Sequence, residues 1–130
     1  MTKISSRIKT DNYRIEIKSP TGNVVIADEP VEKGGKDTGF SPKELLAAAL
    51  AACTSATVRM YADRKQWPLD EATIDVDLVQ DEKGSKTVIN RKIHFVGNLD
   101  EEQKKRLLAV ANACPVHKIL SSPVELNTTM

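Results

Sequence analysis

The chain is poor in aromatic residues: one Trp, two Tyr and two Phe in 130 positions, or 4%. Base stacking has little to work with, and a nucleic-acid partner is not expected. No excess of one charge points the same way, since 19 Lys and Arg against 18 Asp and Glu leave a net charge of +1. Neither a nucleic acid nor an anionic membrane is called for by that balance. The first ten residues, MTKISSRIKT, have no apolar core of a secretory signal, so a cytoplasmic location is expected. Only two cysteines are present, Cys53 and Cys114, and in a reducing compartment both are thiols by default. No repeat or low-complexity run is visible. At this length the expected organisation is one domain, residues 1–130, with enough chain for a core.

One stretch dominates what is there: SPKELLAAALAACTSATVRMYADRK, Ser41 to Lys65. Ser41 suits an N-cap, Pro42 the first helical position, and Glu44 stands three after the cap, where its carboxylate can bond back. From Leu45 to Val58 every residue is apolar or small, with hydroxyls only at Thr54, Ser55 and Thr57. A helix apolar on all sides expects cover on all sides. It reads as too short and too rich in Ala for a convincing membrane span, which needs about 18 or more strongly apolar residues. Pro42 to Lys65 spans roughly 36 Å at ~1.5 Å per residue, about the width of a compact domain this size. The helix therefore crosses the whole molecule or reaches into a second subunit.

Ahead of it, Lys3 to Ile8, Tyr13 to Lys18 and Val24 to Ala27 read as three strands of an antiparallel meander, with turns at Asp11-Asn12 and Pro20-Thr21-Gly22-Asn23. Asp28 to Phe40 is a loop whose Gly34, Gly35 and Gly39 lack the spacing of a phosphate-binding fingerprint; it reads as a flexible lead-in. After the helix, which Pro68 disfavours at Trp67, Ala72 to Leu78 alternates as a half-buried strand, and Thr87 to Val96 follows as its partner. Trp67 reads as a packing residue at the surface edge. On the apolar face of the second strand, with Ile89, Ile93 and Phe95, Arg91 is the odd member. Asp100 and Gln103 form a capping box for a second helix with the stripe Leu107, Leu108, Val110 and Ala111. That helix breaks at Cys114-Pro115, a short helix follows to Leu120, and Pro123 to Thr128 is expected to close the fold as a strand with Val124 and Leu126 inward. The order gives an α+β class with mostly antiparallel pairing.

Cys53 lies in the long helix, and Cys114 at the start of a short one. A helix start favours a thiolate, and His117 is three residues on, so Cys114 has the better local route to a depressed pKa. Cys53 would need a cation, and Arg7, Arg14 or Arg91 can approach from a sheet. Both thiols can equally be small core residues. A metal site built from Cys53, Cys114 and His117 lacks a fourth ligand and any paired spacing.

Together, GGKDTGFSPKELLAAALAAC, ACPVHKIL and the order of elements resemble the OsmC/Ohr family of osmotically induced and organic-hydroperoxide-resistance proteins, over essentially the whole chain. Arg-Met-Tyr-Ala after the helix cysteine and Pro-Val-His after the second place it nearer the shorter OsmC-like branch. The resemblance implies an OsmC-like fold, antiparallel sheets packed on a long central helix in an intertwined homodimer, with paired thiols near the subunit interface. It implies a cytoplasmic cysteine-based peroxidase that needs no cofactor or metal, takes an organic hydroperoxide, and is restored by a lipoyl-type or thioredoxin-type dithiol. It makes Cys53 the peroxide-attacking thiolate and Cys114 the resolving thiol, with Glu44, Arg14 and His117 as supports. The better-known hydroperoxide-resistance members carry a Glu ten residues before the first Cys, where this chain has Lys43; Glu44 is nine before. The activating Arg of those members lies in the N-terminal strands, which makes Arg14 and Arg7 the candidates. The alternative is a non-catalytic small-molecule-binding or stress-related protein on the same fold, its cysteines lining an apolar pocket.

Overall fold

The computed structural model describes all 130 residues, Met1–Met130. The order is β1 (Ser5–Ile8), β2 (Ile15–Lys18), β3 (Val24–Ala27), a 3-10 turn (Val31–Lys33), α1 (Pro42–Lys65), β4 (Leu69–Gln80), β5 (Thr87–Gly97), α2 (Glu101–Ala111) and α3 (Pro115–Leu120). The chain forms two compact units, Met1–Leu46 and Ala47–Met130. Helix α1 begins in the first and continues through the second.

In the first unit, β1, β2 and β3 make the expected antiparallel meander, with Arg7 opposite Glu16 and Ile17 opposite Val25. The loop that follows is ordered by one carboxylate. Asp28 is buried, and its oxygens accept the N–H groups of Glu29 at 2.8 Å, Lys36 at 3.3 Å and Thr38 at 3.1 Å, and the Thr38 hydroxyl at 2.6 Å. Gly35 and Gly39 serve this packing, because a Cβ at either would collide with the carbonyl of Glu29 or of Ile26. The expected flexible lead-in is thus a tightly bonded loop. The start of α1 carries the reciprocal cap read from the sequence: Ser41 N–H donates to Glu44 Oε1 at 2.8 Å, and Glu44 N–H donates to Ser41 Oγ at 3.2 Å. Such a cap stabilises a helix by about 1 kcal/mol.

The Thr38 hydroxyl and three N–H groups favour the ionised form of Asp28 and hold its pKa below the ordinary carboxylate value of 3.8. A depressed folded pKa contributes stability that is complete above the unfolded value and disappears as pH falls through the folded one. Asp28→Asn is therefore expected to lower the urea midpoint by a near-constant amount between neutral pH and about pH 5, with the gap to the parent closing below about pH 4. A gap independent of pH down to the acid transition would contradict this account of the loop.

In the second unit, β4 and β5 form a long antiparallel hairpin, Ala72 opposite Phe95, Ile74 opposite Ile93, Val76 opposite Arg91 and Leu78 opposite Ile89. Gly97 has φ +147° where it passes the Pro68 carbonyl, which leaves no room for a Cβ. The core is Val58, Ala62, Leu69, Leu99, Leu107 and Ala111, with Tyr61, Trp67, Ala72, Ile93 and Phe95 packed against it. Leu107 is fully buried, which contributes about 1.5–3 kcal/mol by apolar area removed from water. Trp67 meets Tyr61 edge to face, centroids 5.6 Å apart. Asp100 and Gln103 complete the capping box of α2. Helix α1 ends where Gln66 turns left-handed at φ 58°.

A second expectation is corrected. Val124 and Leu126 lie 60% and 86% exposed in a segment without strand structure. Two apolar positions bury too little to hold a strand, and no partner strand pairs with them. Within the single chain α1 is covered along one face: its buried residues, Leu50, Thr54, Val58 and Ala62, recur every four residues as one stripe, while Leu46 and Met60 are exposed.

Candidate functional site

The second unit gathers Cys53, Thr54, Arg91, Asn112, Cys114 and His117. Helix α1 supplies Cys53 and Thr54, β5 supplies Arg91, the end of α2 supplies Asn112, and Cys114 caps α3. The α3 cap forms because Pro115 suits the first helical position and Cys114 is extended before it, φ −65°, ψ 146°. Its sulfur takes the place of a capping oxygen and accepts the His117 N–H at 3.3 Å. The next free amide of the same turn, Val116 N–H, donates to Cys53 Sγ at 3.5 Å. Two thiols 61 positions apart in sequence thus accept from neighbouring amides. Cys114 is fully buried and Cys53 half-buried.

Arg91 is the only cation bonded into this group. It occupies an inward position of the hairpin opposite Val76. Its Nη1 donates to Thr54 Oγ1 at 3.0 Å, and its Nη2 donates to Asn112 Oδ1 at 2.7 Å and to His117 Nδ1 at 3.1 Å. All three partners are neutral or acceptors, and no carboxylate pairs with Arg91. Its charge is therefore available to Cys114 rather than cancelled locally. Thr54 carries the connection: its Oγ1 lies 2.7 Å from the Leu50 carbonyl and 3.9 Å from Cys114 Sγ. The single hydroxyl proton can turn from the carbonyl to the sulfur when the sulfur is charged, and the Arg91 N–H on the same oxygen strengthens that donation.

Burial by itself pushes the Cys114 thiol up. The His117 N–H, hydrogen bonds from Cys53 and Thr54, and the Arg91 charge outweigh it, and the pKa falls below its ordinary value of 9.0. This agrees with the local argument from the helix start.

Among the residues singled out in the sequence, Cys53, Cys114 and His117 stand together here. Glu44 and Arg14 belong to the first unit. Glu44 is engaged in the cap of α1, and Arg14 is an exposed residue just before β2. The sequence reading named Arg7, Arg14 and Arg91 as arginines able to approach Cys53, the resemblance pointing to Arg14 and Arg7; Arg91 is the one bonded to Thr54, Asn112 and His117. The usable signal was a charged residue on an otherwise apolar strand face. Thr54 and Asn112 carried no signal, since a helical Thr and an Asn at a helix end have ordinary local roles. No group of three or more His, Cys, Asp or Glu side chains is placed to hold a metal ion.

A cavity of about 220 Å³ shares Arg91 and His117 with this group and is otherwise lined by Leu50, Thr87, Ile89, Leu120 and Ser121; neither cysteine lines it. It is apolar along one wall and polar where it meets the arginine and the imidazole.

The comparisons with known proteins agree with this architecture. A protein assigned to osmotic stress induction and the detoxification response in Psychrobacter arcticus is 28% identical with a TM-score of 0.80, over 92% of this chain and 88% of that one. The organic hydroperoxide resistance protein OsmC of Legionella pneumophila is 25% identical at TM-score 0.68, over 93% and 89%. The organic hydroperoxide resistance protein OhrB of Bacillus subtilis is also 25% identical, at TM-score 0.63, over 93% and 90%. No curated protein matches the sequence. Helix α1 is long and apolar enough to cross a membrane by length and composition, and it carries the buried stripe Leu50, Thr54, Val58 and Ala62. The family model for OsmC-like proteins matches residues 34–129, and the chain belongs to that family.

Proposed function

We propose that the protein is a cysteine-based reductase of organic hydroperoxides, with Cys53 as the attacking sulfur and Cys114 as its resolving partner. The observation that carries the reading is the shared α3 turn, where Val116 N–H meets Cys53 Sγ and His117 N–H meets Cys114 Sγ. The kinship with organic hydroperoxide resistance proteins supports the substrate class. Arg91, rather than Arg14, is the cation of this reading.

The geometry suggests how the two sulfurs divide the work. Cys114 is the one whose negative charge is favoured, and the Cys53 thiol donates toward it. Transfer of the Cys53 proton to Cys114 runs against that preference, so the Cys53 thiolate, on the half-buried member that a substrate reaches, is the minor form and is drawn forward by its reaction with peroxide. The thiolate attacks the terminal oxygen of ROOH. An S–O bond forms, the O–O bond breaks with its electron pair on RO⁻, and the alkoxide leaves as ROH after taking a proton from solvent. Cys53 is then a sulfenic acid. Cys114 attacks its sulfur, releasing water and forming the Cys53–Cys114 disulfide, which an external dithiol reduces. The test is consumption of cumene hydroperoxide with dihydrolipoamide as reductant. Turnover proportional to enzyme is expected; none with any dithiol would remove the reading.

The reading includes a homodimer, supported by the incomplete cover of α1, of which only one stripe is fully buried. Sedimentation equilibrium is expected to give twice 14.3 kDa. A monomer at micromolar concentration would contradict it.

A further inference from the structure

We propose that His117 is the hydrogen-bond donor to the departing oxygen of the peroxide, held by Arg91 in the one tautomer that can do this, with the peroxide's organic group in the adjoining cavity. The inference rests on the hydroperoxide reading and adds to it the fate of the leaving group.

The tautomer follows from the contact. Arg91 Nη2 lies 3.1 Å from His117 Nδ1. A guanidinium has five N–H donors and no acceptor, so the bond exists only with Nδ1 as the acceptor. The ring proton of the neutral imidazole is thereby placed on Nε2. That atom has no hydrogen-bond partner in the protein, and the ring is half-buried against the cavity it lines. Arg91 is itself fixed by Thr54 and Asn112, so the imidazole is held by a group that cannot rotate away independently.

The location matches the need. His117 is the residue whose amide holds Cys114 Sγ, and the amide before it holds Cys53 Sγ. A peroxide entering past Leu50, Ile89 and Leu120 would rest its organic group on apolar carbon, with its oxygens at the polar end. As Cys53 attacks, negative charge grows on the inner oxygen, RO. A fixed N–H aimed at charge that appears only in the transition state accelerates the step. His117 donates a hydrogen bond and keeps its proton. The proton that completes ROH comes from solvent, balancing the one Cys114 had given up on ionising.

The experiment compares leaving groups. Pre-reduced protein is mixed with tert-butyl hydroperoxide or with peracetic acid, without reductant, and Cys53 oxidation is timed by quenching with a maleimide. An alkoxide needs stabilisation, whereas acetate is a good leaving group unaided. His117→Phe is expected to slow the reaction with tert-butyl hydroperoxide about 100-fold and that with peracetic acid by less than about 3-fold. His117→Gln, which keeps an N–H at similar reach, is expected to recover most of the loss. The peracid rate also reports whether each variant retains an intact thiol pair. Equal losses with both oxidants would show a merely structural His117 and overturn the proposal, as would no loss with either. A parent protein inert to both oxidants would instead overturn the hydroperoxide reading, and this inference with it.

Discussion

Cys53→Ser is expected to abolish turnover of cumene hydroperoxide with a dithiol, because a serine hydroxyl neither ionises near neutral pH nor forms a reducible sulfur–oxygen bond. Cys114→Ser is expected to behave differently. Its Cys53 still attacks, so one equivalent of peroxide is consumed per chain, and then over-oxidises because no partner thiol captures the sulfenic acid. The structure adds a rate to this contrast. The Cys114 sulfur is the acceptor toward which the Cys53 thiol donates. Removing it is therefore expected to slow the first attack as well as to prevent resolution. A Cys114→Ser variant that attacks as fast as the parent would confine Cys114 to resolution, and a Cys53→Ser variant that turns over normally would exclude Cys53 as the nucleophile.

Arg91→Met should produce the second-largest loss, on the order of 10²–10³-fold in the rate of peroxide attack, the range for removing a preorganised charged donor. Methionine fills similar volume but leaves Thr54 Oγ1, Asn112 Oδ1 and His117 Nδ1 without their shared donor. Arg91→Lys is expected to recover little, since one ammonium cannot span three acceptors held by a planar fork. The pH profile separates this role from simple destabilisation. Burial raises the Cys114 pKa, and the lowering contributions, of which the Arg91 charge is one, outweigh it. Without Arg91 the balance moves upward, so the inflection in the rate against pH is expected to rise, and the gap to the parent to narrow in strongly alkaline solution where the thiol ionises unaided. A uniform loss at every pH would mean that Arg91 acts through packing alone.

How far these residues were legible beforehand depended on whether their signal was local. The bounds of α1 follow from a Ser-Pro-x-Glu start and a Pro68 stop, features that act within one helical turn, and they match the structure. The same holds for the Asp100–Gln103 box and for the Cys114-Pro115 start of α3. The C-terminal strand failed because a strand requires a partner, and alternation at Val124 and Leu126 carries no information about one. The cover of α1 is a related case: an apolar surface shows the need for contact without showing what supplies it, and one chain covers one stripe of it. Placing Arg91 in the group around Cys114 required the register of β4 on β5, which puts Arg91 on the inward face opposite Val76. The partnership of Arg91 with Thr54, Asn112 and His117 joins three separate helices to one strand, and no spacing along the chain encodes it.

The central claim is tested most directly by titrating the reduced protein with cumene hydroperoxide and mapping its cysteines by mass spectrometry. The account predicts that one equivalent removes both thiols together and yields a peptide linking Cys53 to Cys114, reversible by a dithiol. Two thiols surviving excess peroxide, or Cys53 and Cys114 oxidised separately with no linked peptide, would contradict it.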